Sequence, residues 1–322
     1  LPPQAGIYCA IITGFLISAL GGSRCQIGGP TGAFVVVVSG IVATYGVDGL
    51  FMCTMMAGVL MVAGGATGLG AAVRYIPRPV VIGFTNGIAV LIASTQIKDF
   101  FGLQLAEVPG EFLPRLEALA ANASTWSPAA TAVALATLGL ILLTARVTAR
   151  GPGTVVALIL GTLAVALAGL GVETVGSRFG AIPEGLPALD VPTFRPDLML
   201  SLISPAFTVA LLGAIESLLS AVVSDRMTGD KHNPSVELVA QGVANVVSPM
   251  FGGLPATGAI ARTATNVRSG GRTPFAGMIH AVVLLVILLA AAPLAERVPL
   301  AVLAAILFVV AYNMGEWREI PQ

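Results

Sequence analysis

Apolar residues in this chain come in long blocks, separated by short polar connections that often carry glycine or proline. Runs such as Ala132–Leu143, Val155–Leu170 and Ala281–Ala292 hold no charged residue. A helix needs about 20 mostly apolar residues to cross the hydrocarbon layer of a bilayer. The pattern predicts spanning or half-spanning helices near 5–20, 31–46, 50–70, 79–101, 129–147, 153–172, 202–224, 234–250, 257–268, 274–293 and 299–314. The segments 31–46 and 257–268 are too short or too polar to span alone. The two longer connections, 102–128 and 173–200, are rich in Pro, Glu and Asp and read as surface loops.

Composition agrees with this pattern. Of 322 residues, 56% are hydrophobic and 10% charged, with a mean hydropathy of +0.93. A soluble domain carries about a quarter charged residues. The class is therefore an all-α polytopic membrane protein, with the lipid bilayer as its solvent. Net charge is zero and points to no nucleic-acid partner. Cys9, Cys25 and Cys53 lack metal-ligand spacing and an even count, and read as small core residues. No basic segment with a cleavage site opens the chain. It begins at Leu1-Pro2-Pro3 in what reads as a loop and stops just after an apolar helix, so helices are expected beyond both ends.

Lys and Arg concentrate on one side of the predicted membrane. Arg24, Arg74, Arg78, Arg146, Arg150, Arg226, Lys231, Arg268, Arg272 and Arg318 fall in one set of connections. Lys98, Arg115, Arg178, Arg195 and Arg297 are scattered among acids in the other. By the positive-inside rule the first set is cytoplasmic, and the protein is expected to be multi-pass in a cell inner membrane.

A repeated phrase carries the most information. Gly28-Gly29-Pro30-Thr31-Gly32-Ala33-Phe34 recurs as Gly252-Gly253-Leu254-Pro255-Ala256-Thr257-Gly258-Ala259-Ile260. The assigned orientation places the two copies in opposite directions, as inverted-repeat transporters require. Glycine and proline interrupt the helix, leaving an extended stretch and a fresh helix N-terminus. A half-helix of about 14 residues rises about 21 Å, so that N-terminus lies near the bilayer centre. Its free N–H groups carry partial positive charge and can hold an anion.

Glu216 lies in an apolar segment with no charge within eight residues on either side. A buried charge is costly there, which makes an intramembrane acid a functional candidate. With Ser220 one turn away, and Ser217 and Ser224 on the same helix, it suits proton coupling; further oxygen ligands would suit sodium. Glu237, Gln241 and Asn245 share one helix face and read as hydrogen-bonding glue between helices, after an Asn233-Pro234 N-cap. Arg262 either raises the positive potential of the anion site or snorkels to the inner interface. Gly64 with Gly68, and Gly83 with Gly87, read as helix-packing pairs. His232 and His280 read as isolated. No nucleophile–base pair, metal motif or Walker loop is present, which argues against an enzyme and against ATP-driven transport. No cofactor is expected.

Ala214-Ile215-Glu216-Ser217-Leu218-Leu219, Lys231-His232-Asn233-Pro234, Glu237-Leu238, Ala240-Gln241-Gly242, Ala244-Asn245, Arg262-Thr263 and Gly270-Gly271-Arg272-Thr273 resemble the SulP sulfate-permease family of anion transporters, the solute carrier 26 type. Pro2–Tyr8 and Gly28-Gly29-Pro30 resemble that family's early helices. The resemblance runs along the whole chain. It implies two inverted repeats of seven helices, divided into a core and a gate, with about helices two to twelve in this chain. It places an anion between the openings of two half-helices, at Thr31, Gly32, Ala33 and Phe34 on one side and Gly258, Ala259, Ile260 and Ala261 on the other. Glu216 is the implied cation-linked acid. Relatives often carry a hydroxyl near Ala259-Ile260-Ala261; this chain has none, which shifts recognition toward backbone N–H groups. The resemblance also implies a homodimer and a cytoplasmic regulatory domain beyond residue 322.

The expected function is proton-coupled uptake of a small anion such as sulfate, bicarbonate or a dicarboxylate, by elevator-like alternating access. The segments divide as 1–101 and 201–273 for the two core portions, 102–200 for gate helices and outer loops, and 274–322 for the remaining helices. The rivals are sodium-coupled symport, an anion channel or sensor, and a nucleobase–cation symporter of the same fold. The last usually needs a second acid at the opening of the second half-helix, and Pro255–Ile260 contains none.

Overall fold

The computed structural model describes the chain except residues 1–2, 76–77, 106–107, 148–152, 182–184, 186–188, 190, 194, 316 and 318–322. Pro2, Arg150 and Arg318, used above, lie outside the described residues, as do the side chains of Arg74 and Arg78. The architecture is all-α: α1 (Pro3–Leu20), α2 (Val35–Ala66), α3 (Arg78–Phe101), α4 (Phe112–Ala121), α5 (Pro128–Val147), α6 (Gly153–Ala168), α7 (Val175–Phe179), α8 (Met199–Thr228), α9 (Pro234–Val247), α10 (Ile260–Arg268), α11 (Pro274–Glu296) and α12 (Leu300–Met314). The described strands are the two-residue β1 (Gly28–Gly29) and β2 (Thr257–Gly258). Among the described residues four helical stretches are long and apolar enough to cross a membrane: Gly32–Ala66, Pro128–Arg146, Pro196–Thr228 and Pro274–Glu296.

The chain divides into two compact units. Residues 1–76 and 183–290 form the first; 77–182 and 291–322 form the second. α3 packs on α5 and α12 within the second unit.

In the first unit, α2, α8 and α9 enclose a core of Phe34, Leu50, Met52, Cys53, Ala57, Met61, Leu202, Val209 and Leu238. The segments expected at 31–46 and 50–70 are two helices within α2 that meet at Gly46, whose non-helical backbone (φ 74°, ψ −175°) turns the chain where a non-glycine residue would be strained. The tightest approach joins α2 to α9. A Cβ on Gly242 would stand 2.6 Å from the Gly58 carbonyl oxygen and from the Val62 amide nitrogen, and one on Gly65 2.7 Å from the Ser235 carbonyl. This seam, rather than the Gly64 and Gly68 pair, brings the backbones together. Among the described residues a Cβ on Gly83 or Gly87 would meet no atom within 4 Å. Asn233 caps α9 as expected, accepting from the amides of Ser235 (3.1 Å) and Val236 (3.2 Å). His232 is not isolated: its Nδ1 lies 2.7 Å from Asp225 Oδ2, and its backbone N–H donates to the same carboxylate. Cys9, Cys25 and Cys53 are buried and free.

In the second unit, Phe100, Val133, Ala134, Val165, Val302 and Ala305 form the core of the packing among α3, α5, α6 and α12. The connection expected as an open loop at 102–128 contains α4. Its Arg115 is buried and donates to Ser94 Oγ (3.0 Å) and to the carbonyls of Pro109 (3.1 Å) and Gly110 (2.5 Å). Three neutral acceptors thus replace the solvent this cation was expected to meet. Arg178 bridges Asp99 (2.6 Å) and Glu173, and the Leu300 amide donates to the Glu173 carbonyl (2.9 Å), tying the start of α12 to the segment before α7.

Candidate functional site

The two repeated phrases meet inside the first unit. β1 and β2 pair antiparallel, Gly28 opposite Gly258 and Gly29 opposite Thr257. The Ala259 amide donates to the Ile27 carbonyl (2.8 Å), extending the pairing by one bond. Each strand then opens into a helix. Thr31 is extended (φ −127°, ψ 157°) and leads through a tight turn at Gly32–Phe34 into α2; Ala259 (φ −90°, ψ 107°) leads into α10. The close crossing demands glycine. A Cβ on Gly258 would lie 1.7 Å from Gln26 Nε2, and one on Gly29, where φ is 143°, would lie 2.7 Å from an Arg262 guanidinium nitrogen.

α8 runs alongside and is bonded to both phrases. Thr31 Oγ1 donates to Glu216 Oε2 at 3.0 Å, linking the opening of the first half-helix to the intramembrane acid. Glu216 is buried at 5% exposure, with Arg262 near enough to interact electrostatically. Ser217 Oγ accepts from the Gly258 amide (3.0 Å) and is hydrogen-bonded to Thr257 Oγ1 (2.8 Å). Gln26 Nε2 donates to the Ser217 carbonyl (3.2 Å). Ser220 donates to Thr263 Oγ1 (3.1 Å), which also accepts from the Ile27 amide (3.0 Å). The structure therefore joins Glu216 to Thr31, while Ser220 belongs to the framework holding the strands.

Arg262, in the first turn of α10, does not snorkel. Its guanidinium donates to the carbonyls of Gly28 (3.5 Å) and Pro30, crossing from the second phrase to the first. Asn245 holds the approach to β2 from the other side, donating to the Ala256 carbonyl (2.8 Å) and accepting from the Ala256 amide (2.9 Å). Gln241 donates to Glu237 Oε1 (2.9 Å), whose other oxygen accepts from the Ser23 amide (3.0 Å). The Glu237–Gln241–Asn245 face thus fixes α9 to the segments before β1 and β2.

The first amides of a helix have no acceptor within it. In α10 these belong to Ile260, Ala261 and Arg262, since Thr263 N–H is the first to close on the chain behind it, at the Ala259 carbonyl (2.8 Å). In the opposing half-helix the Phe34 amide closes on Thr31 (3.3 Å), which leaves those of Gly32 and Ala33 ahead of the first bond. A cavity of about 540 Å³ adjoins this opening, lined by Pro30, Thr31, Phe34 and Val35 from the first phrase and Leu254 and Pro255 from the second. Sequence reasoning missed Gln26 and Thr257. Gln26 is a single polar residue in a loop, and its role exists only once the second phrase lies beside it. Among the described residues no group of three or more His, Cys, Asp or Glu could hold a metal ion.

The chain is 45% identical over 319 residues to the "Putative sulfate transporter YvdB" of Bacillus subtilis (strain 168), covering 99% of this chain and 60% of that protein. It is 39% identical over 322 residues to the bicarbonate transporter BicA of Synechocystis sp. (strain ATCC 27184 / PCC 6803 / Kazusa), covering 97% of this chain and 56% of that one. The solved transmembrane domain of a cyanobacterium bicarbonate transporter BicA superposes with a TM-score of 0.87 at 39% identity, over 99% of this chain and 82% of the other. The chain thus has the all-α polytopic fold of membrane transporters and spans somewhat under two thirds of the length of these full-length relatives. The model of the sulfate permease family matches residues 1–322 throughout, and the chain belongs to that family.

Proposed function

We propose that the chain is the substrate-carrying part of a proton-coupled small-anion transporter in a cell inner membrane. The observation that carries this reading is the 3.0 Å hydrogen bond between Thr31 and Glu216. It connects a buried acid to the opening of one half-helix, while the pairing of β1 with β2 sets the second opening beside the first. The anion sits between the openings, held by the amides of Gly32 and Ala33 on one side and Ile260 and Ala261 on the other. Helix N-termini favour negative charge there without a positively charged side chain in contact. Glu216 protonates from the outside, the loaded site crosses by an elevator-like movement of the first unit, and proton and anion leave together.

A proton suits this site better than sodium. Sodium would need several free oxygen ligands, whereas Ser217, Ser220, Thr257 and Thr263 are bonded to one another and to backbone. The BicA relatives point to bicarbonate and YvdB to sulfate as the substrates to try first. The test is uptake of labelled sulfate, bicarbonate and fumarate into proteoliposomes holding the full-length protein, with and without an inward proton gradient. Accumulation driven by the gradient supports the reading. Uptake indifferent to it transfers the weight to sodium coupling, exchange or a channel.

A further inference from the structure

A polar cluster that the transport cycle leaves unused lies where α8 ends and α9 begins. His232 stands in that turn with a side chain 7% exposed. Asp225, in the last turn of α8, accepts from its backbone N–H at 3.1 Å and lies 2.7 Å from its Nδ1. An ionised carboxylate only accepts, so Nδ1 carries the hydrogen and Nε2 is the open nitrogen of the neutral ring. That atom is buried, and among the described residues it has no hydrogen-bond partner. A proton arriving at His232 therefore binds Nε2 and turns the ring into an imidazolium.

On the α9 side the ring is within electrostatic reach of Glu237, which is fully buried. Glu237 accepts from the Ser23 amide (3.0 Å) and from Gln241 (2.9 Å). The Asn233 amide donates to the Gly22 carbonyl (3.1 Å), and a Cβ on Gly22 would fall 2.1 Å from the Asn233 carbonyl oxygen. The start of α9 thus grips the turn between α1 and β1, just as Asn245 on the same helix holds Ala256 ahead of β2. With His232 charged, Glu237 is held ionised against the Ser23 amide, in a charge-assisted bond about twice as strong as a neutral one. With His232 neutral, the cation that offsets Asp225 and Glu237 is gone, and the grip weakens. The other charges nearby are Arg226 beside Asp225, Lys231 in the turn, and Asp230, Arg24 and Arg272, which gather around Cys25. These five side chains belong to exposed residues, where salt screens them.

We propose that His232, with its carboxylates Asp225 and Glu237, is a second proton-binding site that governs anion release on the cytoplasmic side. Arg226 and Lys231 flank the turn, which places it there by the positive-inside rule. Histidine is the side chain that ordinarily changes charge between pH 5 and 8. In an acid cytosol the proton tightens the grip ahead of β1 and the anion is retained. At alkaline pH the grip loosens and the anion leaves. Turnover therefore slows when the cytosol acidifies, and Glu216 plays no part in that brake.

The test takes full-length protein in nanodiscs and follows hydrogen exchange of the segment holding Gly22 and Ser23 at about pH 6 and about pH 8, corrected for the intrinsic effect of pH on exchange. Wild type is expected to lose at least about fivefold in protection at the alkaline end. His232→Gln, which cannot take the proton, should be equally protected at both. Glu237→Gln keeps the side chain's shape without its charge and should respond as little, so the outcome does not hang on one variant. In everted membrane vesicles, where the bath sets the cytoplasmic pH, exchange of labelled sulfate or hydrogencarbonate should quicken with bath pH in wild type and lose that dependence in His232→Gln. Protection that is equal at both pH values in wild type, or that changes as much in His232→Gln, would overturn the inference. Glu216→Gln should keep the wild-type protection profile; a profile lost there would assign the proton to Glu216 and overturn the inference as well.

Discussion

Gly258→Ala is the sharpest test of how the two phrases are held together. The added Cβ would fall 1.7 Å from Gln26 Nε2, 2.6 Å from Gln26 Cδ and 3.2 Å from the Ser217 Cα. The Ser217 Cα belongs to the backbone of α8, so Gln26 is the group that gives way, and its bond to the Ser217 carbonyl breaks. Leaving a buried partner unsatisfied costs about 1–3 kcal/mol, and overfilling a packed site about 1–3 kcal/mol more. The expected loss is therefore about 2–6 kcal/mol. It would be read as a lower midpoint of unfolding in detergent together with weaker anion uptake. Because a large loss alone does not identify its cause, Gln26→Ala and the double variant complete a cycle. Removing Gln26 opens the space that the new methyl needs, so Gly258→Ala should cost at least about 1.5 kcal/mol less in the Gln26→Ala background. An equal cost in both backgrounds would refute the reasoning, since the clash would then lie elsewhere.

Two further substitutions probe the seam and the cross-phrase arginine. Gly242→Ala puts a methyl 2.6 Å from the Gly58 carbonyl and the Val62 amide; with backbone on both sides it should lose about 1–3 kcal/mol of stability, and unchanged unfolding would show that α2 and α9 separate freely. Arg262→Gln removes the charge and at least one of the bonds to Gly28 and Pro30; anion affinity should fall about tenfold or more, and Lys should rescue it poorly because a single ammonium does not reproduce the guanidinium fork. Full rescue by Lys would mean that charge alone matters.

Much of this arrangement was visible in the residues because bilayer physics writes itself into hydropathy. The apolar blocks, the paired Gly-Gly phrases and the Asn233 cap are local signals, and the helices form where they point. The pairing register of Gly28 with Gly258 was not legible, since each residue's partner lies more than 200 positions away. Separations of 191 and 236 positions hid the contacts from Gln26 to Ser217 and from Ile27 to Thr263. Polar residues misled where their partners come from folding: Arg115 looked like a solvated loop charge and instead finds Ser94 and two carbonyls. His232 looked alone because Asp225 stands seven positions back, across the turn that ends α8. Ser220 shares the helix of Glu216, but Thr263 claims its hydroxyl. The break between the segments expected at 31–46 and 50–70 does fall at Gly46, where the backbone leaves the helical region.

The central claim is that Glu216 carries the coupling proton while the paired half-helix openings carry the anion. The most direct measurement compares wild type and Glu216→Gln for labelled anion uptake into proteoliposomes across a series of imposed proton gradients, with one-for-one anion exchange recorded in parallel. Glutamine can still accept from Thr31 but cannot release a proton, so exchange should survive while gradient-driven accumulation and its pH dependence disappear. A Glu216→Gln protein that accumulates the anion against the same gradient as wild type would contradict the account.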